Sequence, residues 1–377
     1  MVSREQVEEL RAVVERGITD EELARASEIE RDLRHDVMAH VHCLGESCPT
    51  AKPIIHLGCT SQDVVCNADM VCLVAAMRLI SMKIRCVQVA LGARAAETVR
   101  IPTLGFTHYQ SAQPVTVGRR LAQYAYEVGL TADDVRRYRG VQAEAALDVR
   151  GLRGATGTEA SFLALFNGDQ GLVNLLNASF VGSMSTMFEG IPADKTSRLV
   201  ARHLRVLRQT IEQFPDRAGE MLHAGKLRIT GQTYPRIIDA QIVASLAGVA
   251  AVLHKIATDI RLLSNRKEID EPFGKNQIGS SAMPYKRNPM KCERICGLTR
   301  FVMNLVGNAY DTAATQWLER TLDDSSNRRL SLPEAFLALD GALDLMHQVA
   351  SGLVVNEAMV RKNLMAELPF LATENIL

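Results

Sequence analysis

The sequence has no excess of charge of either sign: 43 Lys and Arg balance 43 Asp and Glu over 377 residues. A balanced chain has no overall field to draw it onto nucleic acid or an anionic membrane surface, so any anionic ligand must be held by a local cluster. Aromatic residues are scarce, at 5%, and strict apolar-polar alternation is rare, which argues against a β architecture. The eight cysteines (43, 48, 59, 66, 72, 86, 292 and 296) show no CxxC spacing. That leaves reduced core thiols as the favoured reading over a paired metal or redox motif. The opening MVSREQVEELRAVVERG lacks the apolar stretch of a signal peptide, and the longest apolar run, Ile242 to Leu253, is too short to span a bilayer. A cytoplasmic protein with no membrane partner is expected. No low-complexity tract or internal repeat is present to suggest a linker or a solenoid.

What the sequence does have is helical periodicity. The first helix is expected from about Arg4 to Gly17, and Thr19 with Glu22 forms a capping box for a second, carrying RHDVMAHVH at residues 34 to 42 near a helix end. After Pro235, the residues Ile242, Leu246, Val249, Leu253, Ile256, Ile260 and Leu263 step by fours and threes, giving one narrow apolar seam. Other long periodic stretches run from Ala68 to Ala96, Ala112 to Val149 and Pro289 to Ala313. Together they predict an all-α, elongated helical bundle of a kind that associates side by side. Two stretches interrupt it: a loop from Arg266 to Pro289, and a less regular region from Gly168 to Arg228 with its own amphipathic segment, Leu199 to Phe214.

Several segments hold groups capable of chemistry. GSSAMPYKRNPMKCER, residues 279 to 294, combines Ser280 and Ser281 with Lys286, Arg287 and Lys291 close to a helix N-terminus, a combination suited to carboxylate or phosphate. A solvated basic turn is the plainer account. LGFTHYQSAQPVTVG places His108 among uncharged hydrogen-bonding side chains, where an imidazole could transfer a proton near neutral pH. RHDVMAHVH holds Arg34, His35, Asp36, His40 and His42; the histidine spacings share a helix face poorly, so anion binding by Arg34 and His35 fits better than a metal site. The run ERTLDDSSNRR mixes Arg320, Arg328 and Arg329 with Asp323, Asp324 and Ser325, and taken alone it reads as a surface helix start laced with ion pairs.

In order along the chain, RHDVMAHVH, HLGCTSQD, TLGFTHYQSAQ, GATGTEASF, ITGQTY, GSSAMPYKRNP, QWLERTLDDSSNRR and ELPFLATENI resemble segments of the fumarase/aspartase superfamily and, within it, the adenylosuccinate lyase family of the animal type. GSSAMPYKRNP is similar to the superfamily signature loop, the most specific of these matches. The resemblance covers about residues 20 to 167 and 228 to 377. It implies a cofactor-free and metal-free lyase that takes small-molecule nucleotide substrates and forms a homotetramer around a central helical bundle, each active site drawing segments from three subunits.

The resemblance implies Ser280 as general base and His108 as general acid. On residue chemistry alone His35 is the stronger choice of base, because a serine needs donors and positive charge around it to lose its proton. Lys286 and Asn288, with hydroxyls from Thr60 and Ser61, are implied to hold the succinyl carboxylates, and Thr107 to orient substrate. Arg34, His35, Asp36, Gln232, Arg294, Arg320, Ser325 and Arg329 match contacts to the nucleotide and its phosphate. The implied domains are an N-terminal one at 1–60, a central long-helix bundle at 61–355 and the start of a C-terminal one at 356–377. The resemblance also implies a preceding segment with an Arg-Tyr phosphate anchor and a third helical domain beyond residue 377. Between Phe162 and Gly231 the chain is longer than the family pattern by roughly thirty residues, which marks 168–228 as an insertion. Glu159 replaces the family's glutamine, and Ser111 and Cys66 replace a proline and an acidic residue. The competing expectations are a catalytically silent subunit that keeps only the bundle, and another lyase of the superfamily such as argininosuccinate lyase.

Overall fold

Ser3 and Thr19 each close a capping box, with Gln6 and Glu22 respectively, and so start α1 (Arg4–Arg16) and α2 (Asp20–Leu33) where the sequence places them. The computed structural model describes residues 2–136, 149–187, 227, 229–371 and 373. Helix α2 does not carry RHDVMAHVH. It ends at Leu33, Arg34 turns into the left-handed region (φ 54°), and His35 caps a new helix, α3 (Asp36–Ser47). The expected continuation is therefore corrected to a helix-helix corner, which the sequence hides because no glycine marks it.

The remaining helices are α4 (Ser61–Glu97), α5 (Val117–Arg136), α6 (Ala160–Leu165), α7 (Gln170–Met187), α8 (Ile237–Asn265), α9 (Met290–Ala314), α10 (Asp323–Ser351) and α11 (Glu357–Leu371). A hairpin, β1 (Pro102–Thr107) with β2 (Gln110–Thr116), a short pair, β3 (Ile269–Asp270) with β4 (Val354–Val355), and a 3-10 turn at Lys52–Ile54 complete the described elements. The fold class is the expected helical one, but residues 112 to 116 form strand rather than the start of a helix. The expected insertion lies mostly outside the described residues, as does the amphipathic segment Leu199 to Phe214.

The chain divides into two units, the described residues of Met1–Leu73, Ala143–Pro235 and Trp317–Thr321, and those of Val74–Gln142, Arg236–Gln316 and Leu322–Leu377. In the second unit α8 is the axis, packed against α9, α10 and α5. Its seam is the predicted one: Ile242, Leu246, Val249, Leu253, Ile256, Ile260 and Leu263 are each at most 4% exposed. At about 1.5–3 kcal/mol per fully buried aliphatic side chain, this one face is a main source of cohesion. Helix α4 is fastened by Lys83, whose ammonium meets Asp340 at 2.6 Å and Asp344 at 2.8 Å on α10.

By length and composition, α4 and α8 are each apolar enough to cross a membrane, which the count of consecutive apolar residues did not show. The apolar face of α8 is spent on packing against the helices around it.

In the first unit, α2 and α3 pack together. Glu22 joins them, accepting from Arg16 at 2.5 Å and from Ser47 Oγ at 2.6 Å. These bonds hold the Glu22 carboxyl well below the usual carboxylate range. Of the eight cysteines, Cys43, Cys48, Cys66, Cys292 and Cys296 are buried and in no disulfide, in keeping with the reading as reduced core residues.

Candidate active site

The signature loop is held in shape from both ends. Gly279 lies so close to the Lys286 carbonyl that a Cβ there would overlap it, and Asn288 Nδ2 donates to the Gly279 carbonyl at 3.0 Å. The loop then enters α9, whose first amides are already taken: the buried Glu271 carboxylate accepts from Lys291 N at 3.0 Å and Cys292 N at 2.9 Å. Glu271 is thus the anion at the α9 N-terminus. Lys286 and Arg287 stay exposed, and the Arg287 guanidinium lies over the Phe273 ring.

Half-buried Ser280 turns its hydroxyl back on its own loop. The Oγ accepts from both Ala282 N and Met283 N at 3.3 Å. Two backbone donors aimed at one oxygen favour its negatively charged form. Positive charge is available from Lys286 on the same loop.

His108 and Tyr109 form the two-residue tip of the β1–β2 hairpin, with φ of 53° and 60°. A turn with both central residues left-handed ordinarily takes Asn-Gly. Two bulky residues there cost backbone energy, and such strain persists only where surrounding contacts enforce it. They do. Tyr109 Oη donates to the Leu262 carbonyl at 3.4 Å and its ring lies 5.8 Å from that of Phe106. Phe106 in turn has the Arg266 guanidinium 4.7 Å from its centroid and that of Arg120 5.9 Å away. The result is an exposed imidazole on a stiff support, with Thr107 beside it.

In the second unit, Ser325 and Arg329 ride the first turns of α10, and Arg294 is exposed near the start of α9. The start of α10 is not the surface feature expected. Asp324 is 1% exposed and Arg328 8%, and they cross-pair with the start of α8, Arg236 Nε to Asp324 at 2.7 Å and Arg328 Nε to Asp239 at 2.7 Å.

The first unit holds the remaining predicted groups. His35 acts as the N-cap of α3, its Nδ1 accepting from Met38 N at 3.3 Å, and lies 3.6 Å from Asp36. Thr60 and Ser61 stand at the start of α4, and the Thr60 amide donates to Asp63 Oδ2 at 2.8 Å. Gln232 is bound twice by the 317–321 segment: its amide donates to the Glu319 carbonyl at 3.1 Å, and its Oε1 accepts from Arg320 at 3.2 Å. Glu159, the residue standing in place of glutamine, is buried and pairs with Arg153 at 3.5 Å.

Gly157 shows how tightly this polar region is packed. It is left-handed (φ 81°), and an added Cβ would fall inside contact distance of the Thr230 and Gly231 carbonyls, neither of which is a flexible side-chain end. Gly157→Ala is therefore expected to destabilise the fold by about 2–4 kcal/mol, from the left-handed strain and the clash together. Denaturant unfolding of the purified variant checks this, and an unchanged midpoint would refute the close approach.

Comparison with known proteins adds to this geometry. The model of a family described as "Lyase" matches residues 5–179 and 222–304. The adenylosuccinate lyase of Schizosaccharomyces pombe is 45% identical over 376 residues, spanning all of this chain and 69% of that protein. That of Saccharomyces cerevisiae is 44% identical over 378 residues with the same coverage, and that of Schistosoma mansoni 39% over 377. Among solved structures, a fumarate lyase from Mesorhizobium superposes with a TM-score of 0.73 at 23% identity, covering 99% of this chain and 72% of that one. A 3-carboxy-cis,cis-muconate lactonizing enzyme from Pseudomonas putida gives 0.70 at 23%, covering 100% and 72%. At that identity the structural matches speak to the fold alone.

Proposed function

Because the chain belongs to the lyase family and, within it, to the adenylosuccinate lyases, we propose that it eliminates fumarate from adenylosuccinate to leave AMP, and from the succinylated carboxamide ribotide SAICAR to leave AICAR. The chemistry makes four demands: a base for a weakly acidic carbon-bound proton, cations for the carboxylate charge that builds up, an acid for the departing purine nitrogen, and an anchor for the phosphate.

The observation that carries this reading is the pair of backbone amides on Ser280 Oγ. Ser280 takes the proton from the succinyl carbon, the carbon-nitrogen bond breaks, and His108 protonates the nitrogen as fumarate leaves. Lys286, Asn288, Thr60 and Ser61 hold the succinyl carboxylates while Thr107 orients the substrate. Arg34, His35, Asp36, Gln232, Arg294, Arg320, Ser325 and Arg329 bind the nucleotide and its phosphate. The exposed guanidinium of Arg294 and the hairpin-tip position of His108 support those roles, since each is open to a ligand.

The working form is a cytoplasmic homotetramer whose active sites draw on more than one subunit. In support, α10 exposes Leu330 and Leu337, 70% and 65% accessible and two turns apart, an apolar stripe suited to lateral association.

The test is turnover of adenylosuccinate by the purified chain, followed spectrophotometrically as AMP and fumarate appear, with His108→Ala alongside. The variant is expected to be slower by about 100-fold. A folded parent chain that releases no fumarate would sink the lyase reading and favour a silent relative.

A further inference from the structure

Asp63 and Arg150 form an ion pair in which neither side chain is exposed at all. Neither residue is among the groups that the reaction calls for, yet their remaining bonds go to several separate segments of the first unit. Asp63 Oδ2 accepts from Thr60 N at 2.8 Å, and Oδ1 accepts from Arg153 N at 2.7 Å. Gly154 N donates to both oxygens at 3.2 Å. On the other side, Arg150 Nη2 donates to the Gly154 carbonyl at 2.7 Å and the Gly231 carbonyl at 3.2 Å. Gly231 precedes Gln232, whose amide and carboxamide are held by Glu319 and Arg320. The 153–159 loop is locked onto the same point, because a Cβ on Gly157 would strike the Thr230 and Gly231 carbonyls.

From this geometry we infer that Arg150 and Asp63 are positioning residues that fix the spacing between the Thr60–Ser61 hydroxyls and the Gln232 carboxamide. The inference rests on the proposed reading that both groups contact substrate. An ion pair kept only for cohesion could be exchanged for apolar packing at little cost. This one cannot be exchanged without loss of function, because its charged donors and acceptors also end two loops and a helix start. An arginine is required rather than a lysine. Its planar fork can serve the carboxylate with one nitrogen and two carbonyls with another, whereas an ammonium keeps the charge and loses the second reach.

The experiment compares the parent chain, Arg150→Lys, Gln232→Ala and the double variant, reading kcat and KM for adenylosuccinate. The only tryptophan, Trp317, lies in the segment that binds Gln232 and supplies an independent signal. For Arg150→Lys, kcat/KM is expected to fall by about 100-fold, mostly through KM. In the Gln232→Ala background the same change should have much less effect. Trp317 fluorescence anisotropy should fall while the helical circular dichroism is kept. Unchanged Trp317 anisotropy in Arg150→Lys overturns the tether whatever the activity. Altered anisotropy with parental kcat/KM, or single effects that multiply within about twofold in the double variant, overturns the positioning role. A parent chain without turnover defeats the lyase reading instead, and the anisotropy comparison still decides the tether.

Discussion

Replacing Ser280 by alanine is expected to reduce kcat by about 10⁴-fold with little change in KM. The signature loop is held at its ends by Gly279, Asn288 and Glu271, so the variant should keep the parent fold although it loses the two bonds to Ser280 Oγ. The substitution removes the oxygen that two backbone amides serve, and with it the proposed base. The effect should exceed that of His108→Ala, because solvent can supply a proton to a departing nitrogen but cannot readily abstract one from carbon. Single-turnover and steady-state rates with adenylosuccinate check the split between kcat and KM. A Ser280→Ala enzyme within tenfold of the parent would move the base elsewhere, and His35, the choice on residue chemistry, would be next to test.

How far the sequence foretells this site depends on what each feature is made of. The α8 seam was legible because seven aliphatic residues repeat with helical spacing, and all seven are buried. The capping box of α2 was legible because its chemistry is local. The β1–β2 hairpin was not. Residues of β2 from Gln110 to Thr116 are mostly exposed, so no apolar alternation exists to read, and its tip is His108–Tyr109 where a glycine would have announced the turn. The break at Arg34 was hidden for the same reason: an arginine adopts the left-handed conformation that glycine would have signalled.

Burial of charge was the other blind point. Asp324 and Arg328 look like any surface pair in ERTLDDSSNRR, and only the fold, by setting α10 against α8, shows that they are inside. Asp63, Arg150 and Glu271 escaped for a related reason. Each works through backbone amides and carbonyls distant in the chain, and no motif of side-chain types records such partners. Residue chemistry thus pointed to the segments of the site, the family resemblance to roles within them, and the structure to what holds them in place.

The crossed pairs at the start of α10 lead to the second large effect, on stability. Asp324→Ala is expected to lower the unfolding free energy by about 3–5 kcal/mol, since it strips the carboxylate from Arg236, a guanidinium buried to 4% exposure that then has to be accommodated away from water. Arg236→Met combined with Asp324→Leu should cost far less than the single change, because neither member of this pair is then left charged without the other. Denaturant unfolding of the parent, Arg236→Met, Asp324→Leu and the double of these two, run as a cycle, measures the coupling. Single changes that simply add in the double variant would show that the pair contributes no specific stability. The same helix turns carry Ser325 and Arg329, so the cycle has a functional side. If Arg236 and Asp324 hold the start of α10 for the substrate, the double variant will recover stability without recovering KM, because apolar contacts restore cohesion but not the position that the hydrogen-bonded charges enforce.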